Sequence, residues 1–371
     1  MPSQEETTIV TGATGFVGSL VLERLIGRGE NVAALVRASD DDDARRRLDE
    51  LAVRTWGDPA ILAGVEAVAA DLESDRFGRP EVAYDALAER AAAIVHCAAS
   101  VRFDLPIADA ESINVGGTER MVELAERARR LGAGSRFVHV STAYVHGRMT
   151  SLADESGPSR TPEFRNTYEL TKHRAEAVVT RLTESAIVRP SIVVGDSLTG
   201  WTSSFNVIYP PLRALVTGVL EVVPADGKAI LDLIPVDQVV DAICGLLEDP
   251  SITGPIQVVG GPAAPTIEQF ARVAYAHVGL PMTSCVPSAA DQIGVYAPYV
   301  DVRGRFEFNR AAELGLRPVP VDELLPRLLD HAFAAEWGRR PMLRPSPLTT
   351  SDAIAAETSL SGLCARQDSN L

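Results

Sequence analysis

Apolar and polar positions along the first half of the chain fall into a repeating rhythm. Short, nearly continuous apolar runs alternate with longer stretches whose apolar residues recur at helical spacing. Runs at 7–12 (TTIVTG), 31–37 (NVAALVR), 65–72 (VEAVAADL), 92–99 (AAIVHCAA), 136–142 (RFVHVST) and 186–195 (AIVRPSIVVG) have the length and character of strands buried on both faces. Between them, 16–29, 117–132 and 166–184 are predicted helices, with another at YDALAERA before the fourth strand. Gly27 and Gly29 suit the stop of the first helix. No internal repeat interrupts the pattern. Strand and helix in strict alternation predict an α/β fold, a doubly wound parallel sheet with right-handed crossovers.

After Gly195 the rhythm changes. Residues 203–220 (SSFNVIYPPLRALVTGVL) predict a helical insertion broken by proline, and 232–250 a helix starting after Pro235. Residues 255–260 (PIQVVG) predict one more strand. Thr266 and Gln269 form the capping-box pattern of a helix over 266–279. A last helix is expected over 321–337, with Pro326 awkward inside it. Residues 340–371 are rich in Pro, Ser and Thr without sustained periodicity, which predicts disorder. The expected organisation is a nucleotide-binding core over 1–195, to which some later segments return, a smaller C-terminal α/β substrate lobe over 196–339, and a tail over 340–371.

Composition narrows the function more than the fold. The net charge of -15 opposes nucleic acid and anionic membranes as partners, because both call for a basic face. No apolar run reaches the ~18 residues of a membrane span, and the polar start predicts no signal peptide. Cys97, Cys244, Cys285 and Cys364 are scattered, as expected for reduced thiols of a cytoplasmic protein. None of the six histidines sits in metal-ligand spacing, so no metal is expected.

The chemistry lies in two patterns. In TGATGFVG, Gly12, Gly15 and Gly18 fall at a strand-to-helix turn. Glycine there lets backbone approach a pyrophosphate, and the helix N-terminus supplies free N–H groups, as in a Rossmann dinucleotide site. The first gap is one residue longer than in the common dinucleotide fingerprint. In YELTK, Tyr168 and Lys172 share a helix face one turn apart. The preceding strand ends in STAYVHG, which offers Ser141 or Thr142 as a hydroxyl. A neighbouring ammonium is expected to lower the phenol's pKa, so that Tyr168 exchanges a proton with a substrate oxygen while the hydroxyl adds a second hydrogen bond. Hydride must come from a nicotinamide, since no side chain supplies it.

Taken in order, TGATGFVG, HCAAS, INVGGT, STAYVHG, YELTK and RPSIVVG resemble the extended short-chain dehydrogenase/reductases. HCAASVRFD, RPSIVVGDSLTGW and DLIPVDQVVDAI are most similar to the thioester-reductase and fatty acyl-CoA reductase (male sterility) branch. The resemblance is strong over 7–260, faint to 337 and absent beyond. It implies that Gly12, Thr14, Gly15, Phe16, Val17 and Gly18 cradle the pyrophosphate. Asp71 and Leu72 would border the adenine, and Ala98, Ala99 and Ser100 the ribose side. Thr142, which fits better than Ser141, Tyr168 and Lys172 would be catalytic, with Lys172 also on the nicotinamide ribose. Asn114 would support the lysine, and Pro190 and Ile192 would lie beside the nicotinamide amide. Arg37 at the second strand's end and Arg47 in the next helix match the branch's 2′-phosphate readers, with Arg45 close by, so NADPH is expected in preference to NADH. Asp40 to Asp43 between them either open the arginine-bearing helix or fold over the adenosine and weaken that binding.

Bland structural roles compete for several of these residues: a turn for Asp71, a helix cap for Asn114, core packing for His96 and Cys97, and a helix N-terminus for Asp237. The expected activity is NADPH-dependent reduction of an acyl thioester, CoA- or carrier-bound, to aldehyde or on to alcohol. Residues 205–220 are either a wall of the acyl pocket or plain core. An acidic acyl carrier protein would be repelled by the net charge, so acyl-CoA or a small carbonyl compound fits better. The alternatives are another extended short-chain activity (an epimerase or dehydratase, or a ketone, steroid or aldehyde reductase) and a non-catalytic NADP sensor. The intact tyrosine and lysine speak against the sensor.

Overall fold

The structure, a computed structural model, describes residues 6–157 and 162–345. The elements follow the chain as β1 (Thr7–Thr11), α1 (Phe16–Gly27), β2 (Val32–Val36), α2 (Asp41–Trp56), β3 (Val65–Ala69), α3 (Glu81–Glu89), β4 (Ala91–His96) and α4 (Ile107–Glu111). Next come α5 (Gly117–Arg130), β5 (Arg136–Val140), β6 (Leu152–Ala153), α6 (Thr167–Val179), β7 (Ser185–Pro190), β8 (Ile192–Val194) and α7 (Tyr209–Val216). The rest is β9 (Leu233–Pro235), α8 (Val236–Glu248), β10 (Gly254–Val258), α9 (Ile267–His277), β11 (Arg305–Phe306), α10 (Asn309–Glu313) and α11 (Val321–Ala334).

Seven strands form one parallel sheet in the order β10-β7-β5-β4-β1-β2-β3. Strand neighbours in sequence diverge to opposite sides between β1 and β4, so the crevice of this doubly wound sheet opens at their carboxyl ends. Successive side chains serve opposite cores. Val10, Val95, Val138 and Val188 point into one cluster with α1, α2 and α8, whereas Ile9, Ile94, Phe137 and Ile187 point into another with α3 and α5. Burial on both faces is why the strands carry unbroken apolar runs. Segments beyond residue 195 do return to the sheet: β10 pairs with β7 in parallel, and α8 lies against α1. Arg136, at the start of β5, anchors this return. Its guanidinium donates to the carbonyls of Leu246 (3.0 Å), Glu184 (2.8 Å) and Ile252 (2.5 Å).

Several boundaries differ from those expected. β3 stops at Ala69 because Asp71 closes a turn, its carboxylate accepting from Ser74 Oγ (2.6 Å) and Glu73 N (3.1 Å). Helix α7 is confined to Tyr209–Val216, since Thr202 and Ser204 bond within their own turn and Val207 takes a φ of 54°. Pro326 is accommodated inside α11. It forfeits one helical hydrogen bond, while Leu324, Leu325, Leu328 and Leu329 bury the face that holds the helix. The capping box of Thr266 and Gln269 is present on α9.

The expected disorder from residue 340 is corrected for 340–345. Arg344 N donates to Thr55 O (2.7 Å), its guanidinium pairs with Glu23 (2.9 Å), and Met342 O accepts from Trp201 Nε1 (3.0 Å). Buried polar partners outweigh local composition there. The remainder of that expectation, residues 346–371, lies outside the described residues. Cys97, Cys244 and Cys285 are free thiols. Among the described residues no helix is long and apolar enough to cross a membrane.

Replacing Arg136 with Leu removes the donor to the buried Leu246 carbonyl and to the part-buried Glu184 and Ile252 carbonyls, and a buried group left unsatisfied costs about 1–3 kcal/mol. Arg136→Leu is therefore expected to lower unfolding free energy by about 1–3 kcal/mol. Urea denaturation checks this, and an unchanged midpoint contradicts the anchoring role.

Candidate active site

The site begins at the β1–α1 turn. Gly12 has φ 66°, and a Cβ there would lie 2.7 Å from Ala98 N. A Cβ at Gly18 would lie 2.2 Å from Gly12 O, so the start of α1 packs directly on the turn. Gly15 is the N-cap of α1 and offers no side chain to the first helical N–H groups. Thr14 and Gly15 are exposed, with Phe16 and Val17 partly so. Backbone approach, positive φ and an uncapped helix N-terminus together fit an anionic pyrophosphate. The residues present therefore suit a dinucleotide.

Beside this turn, Ala98, Ala99 and Ser100 follow β4, held from two sides. Ala98 N donates to Thr11 Oγ1 (3.2 Å), and Ser100 N donates to Asn114 Oδ1 (2.7 Å). Asn114 sits in a π-helical turn, Ser112–Gly116, between α4 and α5. Its amide also donates to Ser100 O (3.2 Å) and Thr171 Oγ1 (2.9 Å). It thus reaches α6 one residue before Lys172, without a hydrogen bond to the lysine itself. His96 is a satisfied core histidine. Thr118 Oγ1 gives its proton to Asn114 O (2.7 Å), so it accepts from His96 Nε2 (3.1 Å), and Thr11 Oγ1 donates to His96 Nδ1 (2.7 Å). Asp237 is likewise in the first turn of α8, accepting from Ser197.

The hydroxyl-bearing residues lie at the end of β5. Thr142 is buried, its Oγ1 donating to Pro190 O (3.4 Å) and accepting from Tyr144 N (3.3 Å), and its hydroxyl acts on the phenol of Tyr168. Ser141 Oγ is buried without a partner. The geometry brings Thr142, not Ser141, to the tyrosine. Tyr168 and Lys172 come from the first two turns of α6, whose N-cap, Asn166, accepts from Glu169 N (3.0 Å).

The expected lowering of the phenol by the ammonium is corrected. Burial pushes Tyr168 up to about 12, with only the Thr142 hydrogen bond opposing it. The reason is where Lys172 points: Nζ donates to Val140 O (2.7 Å) and lies 3.2 Å from His139 Nε2, and no hydrogen bond joins it to Tyr168. Burial in turn brings Lys172 down to about 8, against the pull of Glu176.

Arg37 is exposed at the end of β2 with no ion pair among the described residues. Arg47 is exposed and tied by Nε to Asp43 (3.1 Å), while Arg45 turns away to Leu62 O, Val65 O and Asp49. The aspartates open α2: Asp40 is its N-cap, Asp41 holds Arg79 and Ala69 N, and Asp43 holds Ser39 N, Arg46 and Arg47. Asp71 is occupied by its own turn, and Leu72 packs against the α5 side core.

An apolar cavity of about 80 Å³ lies beyond β8, lined among others by Ile192, Leu212, Leu215, Phe270, Tyr296 and Tyr299. Phe103 connects it to the site. Its ring lies 5.9 Å from that of Tyr168, 6.3 Å from Tyr296 and 5.2 Å from Tyr299. Tyr168 and Phe103 fall in YELTK and HCAASVRFD, but no motif marked Tyr296 or Tyr299, and only the geometry gathers the four.

A glycine turn at the switch point and a Thr–Tyr–Lys group at the ends of β5 and α6 define an extended short-chain dehydrogenase/reductase. More narrowly, residues 10–243 match the NAD-binding profile described as male sterility protein, and the chain belongs to that family. It is 31% identical over 278 residues to fatty acyl-CoA reductase 1 of Xenopus laevis, covering 64% of this chain and 53% of that protein. The chain thus spans about half the length of the curated relatives it matches. The terminal R domain of the myxalamid biosynthetic pathway superposes with a TM-score of 0.79 at 23% identity, over 92% of this chain and 94% of that one. UDP-glucuronic acid 4-epimerase from Bacillus cereus, in complex with NAD, gives 0.66 at 16% identity, over 90% and 98%. At these identities the two structures speak for the fold.

Gly12→Ala would drive a methyl into backbone that has no room to retreat, at a φ that L-residues rarely adopt. The variant is expected to lose dinucleotide affinity by about tenfold or more, equivalent to about 1.4 kcal/mol. Nicotinamide fluorescence titration measures it, and wild-type affinity in a folded variant contradicts the cradle.

Proposed function

We propose that this protein reduces an acyl thioester with NADPH. The observation that carries the reading is the apolar cavity, whose wall residues Tyr296 and Tyr299 share the Phe103 contact with Tyr168. An acyl chain lodged there would bring its carbonyl toward the tyrosine. Residues 207–215 contribute to the lining, which favours the pocket-wall reading of that stretch over plain core.

The reduced nicotinamide supplies hydride to the carbonyl carbon when bound. The chain's residues handle the oxygen and the proton. The Thr142 hydroxyl acts on the Tyr168 phenol, and the two groups together receive the oxygen as charge develops on it. A phenol pushed up to about 12 keeps its proton at neutral pH, which is the form a reduction requires of its acid. Tyr168 gives that proton, and Lys172 orients the ribose. Collapse of the tetrahedral adduct breaks the C–S bond, leaving aldehyde and thiol, so one hydride and one proton are consumed per thioester. A second round on the aldehyde would yield the alcohol. Asn114 acts by positioning, through Ser100 and Thr171. Gly12, Thr14, Gly15, Phe16, Val17 and Gly18 cradle the pyrophosphate. Ala98, Ala99 and Ser100 line it, Leu72 borders the adenine, and Pro190 and Ile192 flank the nicotinamide.

Arg37 is the reader of the 2′-phosphate. It is exposed and free of an acidic partner, whereas Arg47 must give up Asp43 to contribute. Acyl-CoA is the favoured substrate form, since the net charge of -15 opposes an acidic carrier.

The test is NADPH oxidation at the nicotinamide absorbance band over a panel of acyl-CoA thioesters, aldehydes and ketones. Thioester turnover is expected, and turnover of ketones alone overturns the reading. Tyr168→Phe should retain cofactor binding and lose about 10²-fold or more in kcat, matching removal of a general acid. Undiminished turnover contradicts its role. Arg37→Ala should raise the Kd for NADPH about tenfold and leave that for NADH nearly unchanged. An equal loss for both assigns Arg37 elsewhere.

A further inference from the structure

His139 has no place in the chemistry above, yet it is the side chain that meets Lys172. It lies on β5 with no exposed surface. Its Nε2 is 3.2 Å from Lys172 Nζ, and its Nδ1 is buried without a partner. The lysine can only donate, so Nε2 accepts and the imidazole proton resides on Nδ1. That leaves a buried N–H unsatisfied, a cost an apolar residue would avoid. The neighbouring imidazole, His96, whose ring centroid is 5.2 Å away, has both nitrogens engaged by Thr11 and Thr118. It offers the lysine nothing.

We propose that His139 is a positioning residue that seats Lys172. Its Nε2 and the Val140 carbonyl take two of the three ammonium hydrogens, leaving one free for the cofactor ribose that Lys172 would hold. A four-carbon stem is otherwise free to turn, and two fixed acceptors on one strand remove that freedom. The inference rests on the assignment of Lys172 to the dinucleotide made above.

The groups acting on this ammonium are Glu176 from its own helix and Cys97 after β4. His139 on β5 touches it directly, and His96 on β4 feels its charge. Lys172 is brought to about 8, while burial first, and the ammonium second, hold His96 near about 3 and His139 well below its usual range. Cys97 and Tyr168 both lie near about 12. Between about pH 6.5 and 10 the lysine is then the group of this cluster that titrates. Dinucleotide affinity should fall as pH rises through about 8, because the ammonium is the donating form.

The experiment follows the Kd for NADPH by nicotinamide fluorescence across that range, with no substrate present. In His139→Leu the ammonium loses an acceptor, so the falling limb should move about one pH unit lower and the Kd near neutrality should rise about twofold. His139→Gln restores an acceptor and should return the limb toward the wild-type position, and it also serves should the Leu variant not fold. A limb unmoved in His139→Leu, or moved equally in both variants, overturns the proposal. Lys172→Met separates the two levels. It should abolish the limb, and a limb that persists there overturns the assignment of Lys172 and this inference with it. If the limb vanishes in Lys172→Met yet stays put in His139→Leu, only the inference fails.

Discussion

The carboxyl edge of this sheet depends on how closely Gly12 passes the backbone that follows β4. No side chain fits between them, since a Cβ would meet Ala98 N at 2.7 Å. That contact lets α1 start directly on the turn, with Gly18 over Gly12 O, and leaves its N-terminus facing the crevice. It also sets the path of Ala98 to Ser100. A chain of hydrogen bonds from Ala98 N through Thr11, His96 and Thr118 to Asn114, and back to Ser100, holds this loop from the sheet and from α5 at once. Every polar atom of His96 is used, which is how an imidazole is tolerated between two apolar cores.

Much of this was legible in the residues. Unbroken apolar runs report strands buried on both faces, and that alone orders β1 to β5 and β7 into a doubly wound sheet. The glycine turn and the i, i+4 pair Tyr168 and Lys172 are local patterns, so they survive folding unchanged. What escaped depends on distance. The aromatic set Phe103, Tyr168, Tyr296 and Tyr299 comes from segments up to two hundred residues apart, and no periodicity joins them. Residues 340–345 look like linker by composition but find Thr55, Glu23 and Trp201 waiting. Asn114 was readable as a cap or as a partner of the lysine. In the structure it sits in a π-turn and bonds Thr171 and Ser100 directly. The expected effect of Lys172 on Tyr168 failed because spacing on a helix fixes which face a side chain leaves from, not which acceptor captures its tip.

The acidic run between Arg37 and Arg47 shows how charge is parcelled out by geometry. Asp40, Asp41 and Asp43 each find a donor at the start of α2 or across it, and Arg46 and Arg47 share Asp43. Hydrogen bonding from the Ser39 N–H, foremost, and from Arg46 holds the Asp43 carboxyl below its ordinary range. Charges satisfied in this way project little field toward the crevice, and exposed pairs are screened further by salt. Arg37 follows β2, ahead of the helix, and is left out of these pairings. A run that is net acidic in sequence therefore presents a cation at the strand end.

The first turn of α6 is bound to the cavity wall by charge as well as by aromatic contact. Arg165 and Glu169 are almost wholly buried and lie 3.4 Å apart. Burial pushes the Glu169 carboxyl up, and Arg165 pulls it back. A lone pair of this kind would cost more in desolvation than it returns, unless its remaining hydrogen bonds are filled. They are filled from the cavity side. Arg165 donates to Pro298 O (3.0 Å) and Gly147 O (2.7 Å), and its guanidinium lies over the rings of Tyr144 and Tyr299 at 5.9 and 5.7 Å. Tyr299 OH accepts from Asn166 (2.7 Å), the N-cap of the helix that carries Tyr168 and Lys172. The segment that walls the cavity and the turn that presents the phenol are thus satisfied by the same buried charges, and neither can shift without stranding the other's partners.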